Sequence, residues 1–456
     1  MKLNTKRTVL VGLAFLSICA FWQMYDSVVP LMLSNTFHLD ETWSGVIMAA
    51  DNVLALFLLP LFGGLSDRVN TKIGRRMPFV LAGTGVAVVL MNILPRLANG
   101  YFAAPSMGMT VAFVVVLGML LVAMGTYRSP AVALMPDVTP KPLRSKANAI
   151  INLMGAVGGL LYLAITAVLY SNSRVERLYT LGHFESADGP VAVVDYSVLF
   201  AVVSGIMAAA VAVLYFTVRE PKLAAENRAY EKAHPEENLA QATADGGEVL
   251  PKAVKRSLAF LLASIALWFI GYNGVTTWFT TYVSRVMGEG IGGASTCLLV
   301  GTAGAIVSYI PIGSLASKIG RKKTILGGVA LLTACFLTGF AVTVHATAIT
   351  PVMYVLFALV GVAWAAINVN SLPMVVEMCK GSEVGKFTGY YYTFSMAAQV
   401  VTPILAGTLL KNISYRVLFP YAAFFVGCSF LTMLMVRHGD NKVEAKKGLE
   451  AYDTAD

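Results

Sequence analysis

Apolar residues recur along this chain in twelve runs: 9–33, 44–65, 77–96, 110–135, 147–169, 197–218, 257–284, 294–316, 325–344, 351–376, 387–410 and 414–436. Runs of this length fit helices crossing a hydrocarbon core ~30 Å thick at a rise of ~1.5 Å per residue. The pattern predicts an all-α membrane protein with twelve transmembrane helices. The first run follows Lys2, Lys6 and Arg7, as a signal peptide would. It is too long for one, contains Asp26 and lacks a small-residue cleavage site, so it is expected to stay as the first span. One long polar stretch, 219–256, is rich in Ala, Glu and Lys and broken by prolines. It reads as a cytoplasmic linker with room for a surface helix. It divides the chain into an N-terminal six-helix bundle (1–218), a C-terminal six-helix bundle (257–436) and a cytoplasmic tail (437–456).

Composition and charge support this reading. Of 456 residues, 57% are hydrophobic and 13% charged, which is membrane composition. The net charge of +9 would suit a nucleic-acid surface, but its distribution argues otherwise. Of the 34 Lys and Arg, 27 fall in alternate polar segments that include both termini; 6 fall in the intervening loops, and Arg128 lies inside a span. The positive-inside rule then puts the N- and C-termini in the cytoplasm of a multi-pass protein of the plasma or inner membrane. The 5 cysteines are scattered, with no disulfide framework or metal spacing. Histidines 38, 183, 234 and 438 fall in loops or the tail and His345 at a helix end. No nucleophile, base or metal constellation is visible at depth, so no enzyme chemistry, metal or cofactor is expected.

The halves echo each other. Gly63, Leu65, Ser66, Asp67, Arg68, Gly74, Arg75 and Arg76 follow the second run; Gly313, Leu315, Ser317, Lys318, Gly320, Arg321, Lys322 and Lys323 follow the eighth. Asp137 and Lys146, after run four, recur as Glu377 and Lys386, after run ten, at an offset of 240 residues. Such repeats point to two pseudo-symmetric bundles with a substrate site between them near mid-membrane.

These loops resemble the signature of the major facilitator superfamily, with Ser317 where an Asp is usual. The first copy is longer: Ser66, Asp67 and Arg68, an insertion, then Gly74, Arg75, Arg76, Met77, Pro78 and Phe79. With Pro130, Ala133, Leu134, Asp137 to Pro140 and Arg144 to Ala149, it is similar to the sucrose-carrier or solute carrier 45-like branch, related to the glycoside–pentoside–hexuronide symporters. The resemblance spans the chain in topology but is strong in motif only in the N-terminal half. It implies proton-coupled import of sucrose or another glycoside. One helical turn after Asp51 stands Ala55, where melibiose-type symporters carry a second acid for sodium, so protons are favoured. Only Arg219, Glu220 and Pro221 follow run six, which argues against the main monosaccharide porters.

Asp26 and Asp51 are the candidate cation-coupling residues. Seven residues separate each from the outer end of its run, so in an antiparallel hairpin both lie roughly 10 Å deep. A carboxylate near mid-bilayer costs about 2.5–3.5 kcal/mol on insertion scales and is functional by default. Trp22 shares a face with Asp26 and offers a sugar a stacking surface, although packing between helices would also explain it. Gln23 and Asn52 suit hydroxyls, or could tie helices together. Arg128 could clamp substrate or neutralise a carboxylate, or could snorkel to head groups; helical rise puts it ~10 Å or more from Asp26 in depth. Tyr272 and Asn273, flanked by Gly271 and Gly274, are expected on a partly unwound stretch facing a cavity, with Trp278 and Tyr282 in an outer aromatic belt. Asn368 and Tyr391 complete the substrate-binding set, with Asn370, Tyr390 and Gln399 as weaker candidates.

Asp67 ends a helix, where a negative charge opposes the dipole, so a cation should hold it. It is assigned with Arg68, Arg75 and Arg76 to a cytoplasmic gate, with Asp137–Arg144 and Glu377–Lys386 as further pairs. The expected partners are a small sugar, protons and the lipid bilayer, with no nucleic acid, and the protein is expected to be a monomer. An exporter of drugs or metabolites and a sodium-coupled sugar symporter are the alternatives.

Overall fold

The structure, a computed structural model, describes residues 3–140, 143–186, 189–233, 251–378 and 384–440. Among these are twelve helices long and apolar enough to cross a bilayer. They are α1 (Thr5–Leu31, extended by a π-turn Met32–Thr36), α2 (Glu41–Arg68), α3 (Met77–Ala103), α4 (Met107–Val138), α5 (Arg144–Leu169), α6 (Ser197–Thr217), α7 (Lys252–Met287), α8 (Ile291–Ile319), α9 (Arg321–Thr343), α10 (Pro351–Glu377), α11 (Val384–Asn412) and α12 (Leu418–Leu434). Each apolar run became one helix, usually longer than the run itself, because polar end residues cap it. Asn4 accepts from the Arg7 N–H, Asp40 from Trp43 N–H and Ser106 from Met109 N–H. The linker opens with a surface helix, Glu220–Ala233. Most of the rest of the linker and tail, and Cys379, lie outside the described residues.

Helices α1–α6 and α7–α12 form the two expected bundles. Across the seam α2 packs on α11, α5 on α8, and α1 on α7. Small residues permit that approach: a Cβ on Gly45 of α2 would lie 2.3 Å from the Pro403 carbonyl of α11, and one on Gly407 2.2 Å from that of Glu41. Without a hydrophobic force between helices in lipid, such backbone proximity and polar ties supply the association.

We refer to the end that carries the start of α1 and the surface helix as the terminal face, and to its opposite as the far face. On the far face, ties cross between the bundles. Asp40 pairs with Lys411 at 2.9 Å, Arg285 Nη2 donates to the Ser34 carbonyl at 3.0 Å, and the Tyr415 hydroxyl meets the Glu41 carboxylate. Asn35 Nδ2 donates to Ser284 Oγ at 3.1 Å. A β-hairpin that the apolar pattern did not foretell (β1 Thr180–Ser186, β2 Gly189–Val194) lies over this seam. Its Phe184 ring takes His38 edge-on at 4.7 Å and the Arg285 guanidinium at 5.0 Å, touching both bundles.

On the terminal face the charged groups tie each bundle to itself. Arg76 binds Asp67 at 2.5 Å and Asp137 at 2.8 Å; Arg75 also binds Asp137 at 2.5 Å. The Asp67 expectation thus holds through Arg76, whereas Arg68 is exposed and makes no ion pair among the described residues. The expected Asp137–Arg144 pair is replaced: Arg144 donates to the Thr139 and Pro136 carbonyls, capping the end of α4. Likewise Glu377 pairs with Arg321 at 2.7 Å rather than with Lys386. Arg75–Asp137 and Arg321–Glu377 are equivalent in the two halves. Cations one and two residues past a loop glycine reach the acid better than a residue on the next helix.

Two further acids complete this symmetry. Glu220, buried at the start of the surface helix, accepts from the N–H groups of Arg75, Arg76 and Met77 at 2.8–2.9 Å, capping α3. Asp440, past α12, accepts from Lys322 N–H at 3.2 Å, capping α9. A carboxylate among three orphan N–H groups also complements the helix dipole.

Two outcomes are expected. Replacing Glu220 by Ala should lower the thermal midpoint of purified protein, at a cost on the order of 1–3 kcal/mol for charged hydrogen bonds lost at a buried site; an unchanged midpoint would refute the capping role. Burial, and then the Arg285 charge, hold His38 below the ordinary imidazole range. The sealed far face therefore binds fewer protons there than the released one does. The cost of closing over a protonated His38 is therefore absent above about pH 6.5 and grows as pH falls below it. A reporter cysteine replacing Ser284 should be labelled faster at pH 5 than at pH 7, and His38→Gln should abolish that difference.

Candidate functional site

Between the bundles lies a cavity of about 460 Å³, within the size range of small-molecule sites. Cys19, Trp22 and Gln23 of α1 line it, with Arg128 of α4, Asn148 and Asn152 of α5, Thr302 and Tyr309 of α8, and Tyr392 of α11. Arg128, Asn148, Asn152, Tyr309 and Tyr392 lie in the halves of their helices nearer the terminal face, while Trp22, Gln23 and Thr302 lie past mid-helix toward the far face. Val132, on its wall, is 46% exposed. Gln23 and Thr302 also line a second cavity of about 220 Å³, deeper in, whose walls include Asp26, Tyr272 and Thr276. Gln23 and Thr302 thus stand in the walls of both spaces.

α1 supplies the densest polar wall. Cys19, Trp22, Gln23 and Asp26 recur at three- and four-residue intervals and so share one helix face. Asp26 is half-buried and forms no hydrogen bond or ion pair among the described residues; the same is true of the Gln23 side chain. Arg128 forms no ion pair either, but its guanidinium lies 5.7 Å from the centre of the Trp22 ring, a cation–π contact. The Trp22 indole N–H has no acceptor among the described residues. An amide and a guanidinium beside an indole ring therefore line the larger cavity, and the same amide and an acid line the deeper one.

Asp51 lines neither cavity. Its carboxylate accepts from Asn52 Nδ2 at 2.8 Å, within electrostatic range of Asp26 and of Arg128. The two acids are thus neighbours, as the hairpin offsets required. Asn52 turns to Asp51 rather than to the cavity. Arg128 reaches the level of Trp22 and does not snorkel away. Between the acids stands a group the sequence reading missed: the Tyr25 hydroxyl is fully buried, senses both carboxylates and has no partner among the described residues.

The C-terminal half departs further from expectation. α7 runs unbroken through Tyr272 and Asn273, because its glycines serve packing: Gly271 abuts Val426 and Ala422, and Gly274 abuts Tyr421 of α12. Tyr272 does face the deeper cavity, braced by a parallel stack on Trp364 at 3.7 Å. Asn273 lines neither cavity. Trp278 and Tyr282 are fully buried, Tyr282 donating to Thr343 at 2.8 Å, and are core rather than belt. Asn368 and Tyr391 are also buried within their bundle, Tyr391 lying 3.2 Å from Ser371. Its neighbour Tyr392 lines the cavity instead. The other missed wall residues carry a legible signal: Asn148 and Asn152 stand one turn apart, and Thr302 and Tyr309 two turns apart.

The comparisons follow this geometry. The family model described as Major Facilitator Superfamily matches residues 11–310 and 291–452. Among curated proteins, the sucrose transport protein SUC4 of Arabidopsis thaliana is 33% identical over 129 residues, covering 26% of this chain and 25% of that protein. Sucrose transport protein SUC3 of the same plant is 28% identical over 139 residues, covering 28% and 23%. The match therefore spans about a quarter of the length of these relatives. Among solved structures, the nucleoside transporter NupG aligns at a TM-score of 0.65 and 12% identity over 94% of this chain and 100% of that one. The inward-open xylose transporter XylE from E. coli aligns at 0.62 and 15% over 97% of each. At such identities the structures speak to fold alone. With nearly its whole length matched by the family model and its twelve helices paired as two bundles, the chain belongs to the Major Facilitator Superfamily.

Proposed function

We propose that this protein is a secondary active transporter that imports a small glycoside, a disaccharide of the sucrose type, together with protons. The observation that carries the reading is the set of polar groups on the two spaces between the bundles: Gln23, Arg128 and the Trp22 ring on the larger, Gln23 and Asp26 on the deeper. A sugar presents hydroxyls that donate and accept and an apolar ring face that stacks. That chemistry fits a wall of amide, carboxylate, guanidinium and indole. The partial likeness to sucrose transport proteins supports the same substrate class.

In this reading the terminal face is cytoplasmic, as the Lys and Arg distribution favours. The far-face ties then close the outside, and the cavity faces inward, the release state of an alternating-access cycle. A charged carboxylate at this depth is costly, and taking up a proton relieves that cost. Protonated Asp26 would favour loading from outside; opening to the cytoplasm would let proton and sugar leave. Asp51, Asn52 and Tyr25 form the polar bed behind Asp26. The protein acts as a monomer in the plasma or inner membrane.

Two measurements test this. In proteoliposomes, an inward pH gradient should drive sucrose-type accumulation, and Asp26→Asn should lose that accumulation while retaining exchange of labelled for unlabelled sugar. Accumulation indifferent to the gradient, and equal in Asp26→Asn, would defeat the coupling; proton efflux on sugar addition would favour an exporter. Trp22→Ala should weaken the half-saturating sugar concentration by about 5- to 10-fold, as expected for the loss of a stacked ring worth about 1 kcal/mol or slightly more. Trp22→Phe should restore most of it.

A further inference from the structure

A third cavity, of about 300 Å³, lies away from the central site, at the terminal face between the first turns of α1, the last turn of α6 and the surface helix. Lys6, Arg7, Arg219 and Lys222 line it over an apolar floor of Leu10, Val218 and Leu223. Its one acid, Glu226, is taken by Arg7 at 3.7 Å. Lys6, Arg219 and Lys222 are exposed and have no hydrogen-bond acceptor or ion-pair partner among the described residues. Three positive charges thus converge on one groove without an anion.

The groove lies at head-group depth. It is walled by the ends of two spans, and the adjoining α6 residues Tyr215 and Phe216 are 37% and 79% exposed, the aromatic edge expected where hydrocarbon meets water. An occupant here meets cations on one side and acyl chains on the other. Free phosphate would use only the first; a phospholipid uses both.

We propose that this groove binds the phosphoryl head group of an anionic membrane lipid. Lys6, Arg219 and Lys222 contact the phosphate, while the lipid tails lie along Leu10 and the exposed end of α6. The bound lipid bridges α1 to the surface helix, whose first residue, Glu220, caps α3. The proposal does not depend on which solute the central cavity carries.

Native mass spectrometry of the full-length protein, with phosphatidylglycerol against phosphatidylcholine, provides the test. The parent should retain phosphatidylglycerol selectively. Lys6→Ala/Lys222→Ala should reduce that retention by roughly 5-fold per cation removed, about 25-fold together. The control Lys252→Ala/Lys255→Ala, which removes two cations at the start of α7, should leave it unchanged. All three proteins should share the same lipid-free thermal midpoint. Equal retention of both lipids, an equal loss in the control, or stabilisation by inorganic phosphate matching that by phosphatidylglycerol would overturn the assignment.

Discussion

A carboxylate inside a membrane protein needs water, a cation or a proton, and the interior of this molecule is arranged around that need. Asp26 is given a cavity rather than a protein partner, and Asp51 lies near it, held by Asn52 and within range of Arg128. Arg128 in turn is not spent on an ion pair but spreads over Trp22. The surrounding helices are mainly apolar, and polar groups away from these spaces, such as Asn92 with Ser204 and Ser264 with Thr432, bond to one another. The cavity keeps ionisable groups away from acyl chains, whose contact would be costly for a charge.

The two faces of the protein use similar groups for different ends. Far-face contacts join residues of opposite bundles, such as Asp40 with Lys411 and Arg285 with Ser34, and an aromatic hairpin lies over the join. Terminal-face contacts join residues of the same bundle: Arg76 with Asp67 and Asp137 in one, Arg321 with Glu377 in the other. Exposed single pairs of this kind contribute little, but the N-terminal set is a partly buried network that also includes the capped start of α3.

Much of this was legible in the sequence because lipid imposes strong rules. Hydrophobic length set the twelve spans, and an acid within an apolar run marked α1, which lines both cavities, though not α2, whose acid lies behind them. The partnerships were less legible. Asp137 chooses Arg75 and Arg76 over Arg144 because the loop glycine turns those side chains back, a geometry spacing alone does not reveal. Gly271 and Gly274 suggested a break and instead allow α7 to press against α12. Tyr391 and Tyr392 point to opposite environments, and only the helix's rotation in its bundle decides which meets the cavity. The cap from Glu220 was hidden because it joins positions about 145 residues apart.

Glu220 and Asp440 each reach back from just beyond the sixth helix of a bundle to the start of the third. Each half therefore carries its own clasp, independent of its neighbour. Any movement of one half against the other would carry the clasps along unopened. Resistance to such movement would then reside in the contacts across the seam rather than in the clasps.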